Sequence, residues 1–193
     1  EELKHLGLLL GHGQLRKDPA FVEQVRRYPE PLDRTQLRQF LGLVNYYRDF
    51  VPSFSYIAAP LYPLTSTKRK WVWTEEHTRA FAQLKEALAD ATALNLPDFD
   101  QPFVLKTDAS DYALGAVLGQ ERDGKELPIG FYSRTLTAAE RNYSTIEKEL
   151  LAIVYFVQKL RYYLLGRHFA VYTDHQPLRW LINRRDATGH RRI

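Results

Sequence analysis

The chain has 193 residues, 45% of them hydrophobic and 26% charged, with a net charge of +4 and neither Cys nor Met. That size supports one or two domains with a real core. Without Cys there can be no disulfide, thiolate nucleophile or Cys-based zinc site. No apolar run approaches the ~20 residues that a membrane-spanning helix needs. The N-terminal stretch EELKHLGLLLGHG has a short apolar core but no basic flank and no cleavage site, so it reads poorly as a signal peptide. With no Met even at position 1, the chain is expected to be a piece of a longer polypeptide. The modest positive charge permits nucleic-acid binding without demanding it. Basic residues gather at Arg26–Arg27, at Lys68–Arg69–Lys70 and near the C-terminus, where Arg184, Arg185, His190, Arg191 and Arg192 fall close together. A solvated surface explains such clusters equally well.

Two regions meet near residue 100. The first reads as helical, punctuated by Pro. PAFVEQVRR (19–27) is a short amphipathic helix. DRTQLRQFLGLVNYYRDFV follows, with Asp33 as N-cap, Leu37, Phe40, Leu41 and Val44 at helical spacing, and Pro52 closing it. TEEHTRAFAQLKEALADA is a third helix, capped by Thr74, with Glu75 and Glu76 complementing its dipole. Its apolar stripe is Phe81, Leu84, Ala87 and Leu88. NLPDFDQP (95–102) is turn chemistry, and beyond it the period changes. Residues 103–107, 112–119 and 126–132 read as three strands, the last two joined by a hairpin at Asp123-Gly124. A long helix follows, with Ile146, Leu150, Ile153, Val154 and Val157 as its expected core and Gly166 as its C-cap. HFAVYTDH is a fourth strand and QPLRWLINR a short helix. This order predicts an α/β fold: a mixed sheet with an antiparallel three-strand meander and a parallel fourth strand reached by a helical crossover.

Three acids occupy comparable places in that scheme. Asp108 ends the first strand, Asp174 ends the fourth, and Glu149 lies among apolar residues of the long helix. If the first and fourth strands are neighbours, Asp108 and Asp174 share one sheet edge, and Glu149 can reach them from the packed helix. Converging carboxylates repel unless a cation holds them. Hard oxygen donors point to Mg²⁺ or Mn²⁺, and two such ions ~3.5–4 Å apart are a common device for phosphodiester cleavage. The small residues Ala109, Ser110, Ala113, Gly115 and Ala116 would leave room for a nucleic-acid backbone. A plainer reading stays open: an Asp after a strand is a common turn residue, and a helical Glu can be solvated, although Glu147 or Lys148 suits that role better. Tyr46, Tyr47 and Phe50 could stack on nucleic acid, but at helical spacing aromatics are more often core, as Phe50 is expected to be. Tyr46, Arg48, Ser110, Arg184 and Arg185 are kept as candidate nucleic-acid contacts. His168 and His175 read as surface or packing residues.

Five blocks carry a resemblance: FLGLVNYYRDFVPSFSYIAAPL, WTEEHTRAFAQLKEAL, LPDFDQPFVLKTDAS, YSTIEKELLAIVYFVQKLRYYLLG and VYTDHQPLRWL. In this order they resemble the Pol polyprotein of gypsy-type LTR retrotransposons, from the end of reverse transcriptase into ribonuclease H. The resemblance implies that residues 1–30 are the end of the polymerase palm and 31–100 a helical thumb and connection. It implies a ribonuclease H-like domain over 101–193, incomplete at its C-terminus. It further implies hydrolysis of the RNA strand of RNA–DNA hybrids with two Mg²⁺ or Mn²⁺ ions on Asp108, Glu149 and Asp174. Primer–template nucleic acid and the rest of the polyprotein would be partners, in the cytoplasm or a retroelement particle and away from membranes. The palm's paired aspartates would lie upstream, and a fourth nuclease carboxylate would lie beyond residue 193, since Asp186 does not match its context. The alternative is a catalytically inert or host-adopted binding module of the same fold. A small-molecule α/β enzyme finds little support, because the chain has no Gly-rich phosphate loop and no nucleophile elbow.

Overall fold

The computed structural model describes residues 2–5 and 7–173. Its first elements are strands, which the helical reading of the region before residue 100 did not include. Leu3–His5 (β1), Leu8–Gly11 (β2) and Gln14–Lys17 (β3) form an antiparallel ribbon, and Leu94–Asn95 (β4) adds to its edge beside β3. His12 and Gly13, both in the left-handed region at φ 52° and 72°, make the two-residue turn between β2 and β3. A twisted hairpin requires that conformation of its turn residues.

The helices follow from their caps. Pro19–Arg26 (α1) starts where the Asp18 carboxylate accepts a bond from the Ala20 amide at 3.0 Å. Arg34–Asn45 (α2) starts where Asp33 accepts from the Gln36 amide at 2.8 Å. Leu37, Phe40, Leu41 and Val44 are buried, as their spacing predicts. The helix ends at Asn45, well before Pro52. The Tyr47 amide bonds to the Val44 carbonyl, and the chain tightens into a 3₁₀ turn at Arg48–Phe50. That turn sends both Tyr47 and Phe50 into the core, with the Tyr47 ring stacked on Phe21. Phe54–Ala58 (α3), a 3₁₀ turn at Tyr62–Thr65 and Glu75–Asp90 (α4) complete this body. Phe54, Leu61, Phe81, Leu84 and Leu88 close its core.

Beyond residue 100 the predicted sheet is present. Phe103–Ala109 (β5), Ala113–Arg122 (β6) and Lys125–Thr135 (β7) form the antiparallel meander. Asp123 and Gly124 make the β6–β7 turn at φ 52° and 70°. Thr145–Lys159 (α5) and Arg161–Leu164 (α6) cross over to Phe169–Thr173 (β8), which lies parallel to β5. The sheet order is β7-β6-β5-β8. The expected short helix at QPLRWLINR lies outside the described residues.

The face of α5 that packs on this sheet is only partly the expected one: Val157 packs on the core, but three other expected core residues do not. Ile146, Leu150 and Val154 are 44%, 38% and 45% exposed, while Ala152, Phe156, Leu160 and Leu164 are buried against Leu105, Leu114 and Leu118. The helix is apolar nearly all round, so hydrophobicity alone does not choose a face. Close approach to the sheet favours the face that offers Ala152. Lys148, expected to be solvated, is buried as well.

β7 serves both bodies. Tyr132 belongs to the core under α5, while Phe131 packs on the helical core. The Ser133 hydroxyl accepts a bond from the Ser55 amide at 2.9 Å and donates to the Ser55 hydroxyl at 3.0 Å. Arg48 donates to the Ser133 carbonyl at 2.8 Å. After β7 the chain is tied down by Arg134, whose guanidinium grips Glu140 at 2.8 and 3.0 Å.

A Cβ on Gly119 would lie 2.9 Å from the Leu127 carbonyl oxygen, beside the register shift in the β6–β7 ladder. Gly119→Ala should cost about 1–3 kcal/mol in urea unfolding, because backbone cannot step aside as a side chain can. The Arg134 bonds, helped by the Thr137 amide, lower the Glu140 pKa from 4.5 to about 2. A depressed carboxylate pKa stabilises the fold above the unfolded value, and that contribution is lost as pH falls toward the folded one. Glu140→Gln should therefore lower Tm at neutral pH, and the gap from the parent should close between pH 4.5 and 2.

Candidate active site

The parallel pairing of β5 with β8 builds one end of the sheet. Thr107 is registered on Thr173, the last described residue of β8. Asp108 follows Thr107 and is exposed. Asp174, the third predicted acid, lies outside the described residues, as do Arg184 and Arg185.

Glu149 comes to this end from α5. It is only 3% exposed, and its Oε1 accepts a hydrogen bond from the Ala109 amide at 3.2 Å. The helix therefore places a second carboxylate against the residue next to Asp108. Its neighbour Lys148, 7% exposed, donates from Nζ to Asp111 at 2.8 Å. Consecutive residues of one helical turn thus hold both ends of the segment 109–111. The Lys148 bond lowers the pKa of Asp111, which is otherwise open to solvent. Ser110 closes the turn from within. Its hydroxyl accepts from the Tyr112 and Ala113 amides at 3.2 and 3.0 Å and donates to the Ala113 carbonyl at 3.1 Å.

The first turn of α5 is itself fixed. Ser144 and Glu147 form a reciprocal capping box, with the Glu147 carboxylate accepting from the Ser144 amide at 2.8 Å. Those bonds hold the Glu147 pKa low, the amide acting first and the hydroxyl second. Glu147 is accordingly a capping residue and Glu149 the one turned to the sheet.

Of the small residues after Asp108, Ala113 and Ala116 are buried and Ala116 belongs to the core. They serve packing rather than access, contrary to expectation. Gly115, the register partner of Asp108, has no atom crowding its missing side chain more closely than the Asp108 carbonyl at 3.9 Å. Tyr46 is exposed and meets Tyr47 edge-on. Arg48 is engaged at the joint, with Ser55 and Asn45 as further partners at 3.1 and 3.3 Å. Sequence reading missed Lys148. The signal was the Asp111 that follows Asp108 by three residues, a carboxylate too near the strand end to be left unanswered.

Asp108 and Glu149 offer the hard oxygen donors that suit Mg²⁺ or Mn²⁺. Glu149 is joined to the backbone beside Asp108 through the Ala109 amide, and among the described residues no group of three or more metal-ligating side chains is assembled. No described helix is long and apolar enough to cross a membrane.

Residues 73–171, half of the chain, match the family model of the RNase H-like domain found in reverse transcriptase. The chain belongs to that family. The match takes in α4 as well as the sheet and α5. Over 95% of its length the chain is 45% identical to the retrovirus-related Pol polyprotein from transposon 297 of Drosophila melanogaster. It is 39% identical, over 98% of its length, to the corresponding polyprotein from transposon gypsy of the same fly. It spans 17% and 19% of those relatives. Among solved structures, the foamy viral protease–reverse transcriptase in complex with RNA/DNA hybrid is similar at a TM-score of 0.79 and 27% identity. That likeness covers all of this chain and 26% of the viral one. This retrotransposon-type RNase H-like chain thus has the fold its sequence blocks imply.

The clamp on the turn can be tested apart from any activity. Lys148→Met keeps an apolar stem in the buried site and removes the bond to Asp111. Because Asp111 is exposed, stability should change by less than about 1 kcal/mol. Amide exchange at Ser110–Tyr112 should nevertheless quicken, with exchange in β6 unchanged.

Proposed function

We propose that the chain is the thumb-to-nuclease part of a retroelement polymerase, working inside the cell, and that its sheet hydrolyses the RNA strand of RNA–DNA hybrids. On this reading residues 1–30 end the palm, 31–100 form the thumb and connection, and 101–193 form the nuclease. The observation that carries the proposal is Glu149, a buried helical carboxylate bonded to the amide next to Asp108. A stabilising side chain for α5 would not need a charge there, whereas a site for divalent cations does.

Asp108, Glu149 and Asp174 would hold the ions. When bound, two divalent cations activate water and stabilise the leaving oxygen of a phosphodiester. The chain's own contribution is placement. Asp108 presents an open carboxylate at the strand end. Glu149 is kept from rotating away by the Ala109 amide, and Lys148 and Ser110 prevent the turn beneath from shifting. Pre-set ligands need no rearrangement when substrate arrives. The hybrid is the proposed substrate because the foamy viral relative binds one and because the Pol relatives are retroelement proteins.

The test is a labelled RNA–DNA hybrid incubated with this chain in Mg²⁺, in Mn²⁺ and in chelator, beside Asp108→Asn. Metal-dependent cutting of the RNA strand is expected, reduced by roughly two orders of magnitude or more in the variant. Folded protein that binds hybrid but cuts neither with Mg²⁺ nor with Mn²⁺ would overturn the nuclease reading and leave a binding module. Cutting that persists in Asp108→Asn would overturn the site.

A further inference from the structure

A cleft of about 620 Å³ opens where the helical body meets β7 and α5. Four cationic side chains line it from four separate places in the chain: Arg48 from the 3₁₀ turn at Arg48–Phe50, Arg134 from β7, Arg141 from a second 3₁₀ turn at Glu140–Asn142, and Lys159 from the end of α5. Tyr62 and Tyr155 line it too. Glu140 answers Arg134 through the paired bonds described above. Among the described residues Arg48, Arg141 and Lys159 have no carboxylate at ion-pair distance. Asp49 attracts Lys159 through space without touching it. Four cations therefore face two acids, Glu140 and Asp49, and the excess is positive.

Concentration of like charge in a recess is unfavourable unless an anion fills it. Burial already lowers the pKa of Lys159, and a bound anion would relieve that. The position matters as well. Ser133 at the cleft wall is registered on Gly115, and Gly115 on Asp108, so the wall stands two strands from the candidate active site. Two strand spacings are roughly 10 Å, within reach of one bound strand.

We propose that this cleft is a phosphate-binding site for a nucleic-acid strand running between the helical body and the sheet. Arg141 and Lys159 take the phosphates, Arg48 adds its charge from the joint that it holds, and the Tyr62 and Tyr155 rings take sugar or base. Cations interleaved with rings suit a polynucleotide better than an acidic peptide, which offers carboxylates but nothing to stack. The inference rests on the nucleic-acid reading above, but it concerns grip and needs no metal.

The experiment measures anisotropy of a short fluorescent RNA–DNA hybrid with the whole chain in chelator, across a salt series. Arg141→Gln with Lys159→Gln should weaken binding about tenfold and reduce the salt slope by about 1–2. Arg79→Gln with Lys125→Gln, an equal charge loss on exposed α4 and β7 positions, should change it little. Arg141→Lys with Lys159→Arg should retain binding, which separates charge from folding. Asp108→Asn should bind like the parent. Equal losses in both Gln pairs, no loss in either, or no binding by the parent would overturn the cleft. Displacement of the hybrid by polyglutamate as readily as by single-stranded DNA would assign it to a protein partner and also overturn it. Cutting without cleft dependence refutes this site alone. Cleft-dependent binding without cutting refutes the nuclease alone.

Discussion

The bond from the Ala109 amide to Glu149 is the constraint on which the rest of the sheet end depends. A buried carboxylate loses its hydration, and hydrogen bonds must replace some of it. A backbone amide next to a strand end is a fixed donor, so it also sets where the helix can lie. For Glu149 to reach it, α5 must pack close to β5, and small Ala152 at the contact allows that approach. The capping box at Ser144 then fixes where the helix begins, and Lys148 ties the same turn of helix to Asp111. Remove the requirement that Glu149 be buried, and none of these three features is needed.

A second constraint is that β7 has no face to spare. Alternate residues of a strand point to opposite sides, and here both sides are packed: Tyr132 toward α5, Phe131 and Ser133 toward the helical body. The joint mixes the Phe131 contact with directional bonds between Ser55, Ser133 and Arg48. Apolar contact tolerates sliding, while hydrogen bonds to a serine hydroxyl and a backbone carbonyl fix angle as well as distance. The two bodies are accordingly set in orientation, and the cationic cleft between them has a definite shape.

Much of this was legible in the residues. Asp33, with Leu37, Phe40, Leu41 and Val44, marked α2 and its buried face. Asp123-Gly124 marked the β6–β7 turn, because few residues adopt that left-handed pair. Asp108 and Glu149 stood out because a carboxylate amid apolar neighbours needs a reason. Other features were hidden for identifiable causes. The β1–β3 ribbon is short, and its strands are half-covered or exposed, so its alternation is weak. The packing face of α5 could not be chosen because Ile146, Leu150 and Val154 are as apolar as the residues that are buried. The cleft was invisible because its four cations are spread over more than half the chain, and only the fold collects them.

The partly misread face of α5 and the correctly read Glu149 belong to one argument. A helix that is apolar on most of its surface gains nearly the same hydrophobic energy from several rotations about its axis. Polar groups break that degeneracy. Rotated so that Ile146, Leu150 and Val154 faced the sheet, the helix would turn Glu149 away from the Ala109 amide and Lys148 away from Asp111. The observed rotation keeps both bonds and leaves three aliphatic residues partly in solvent. Burial energy thus holds α5 against the sheet, while the two charged residues decide which side it shows.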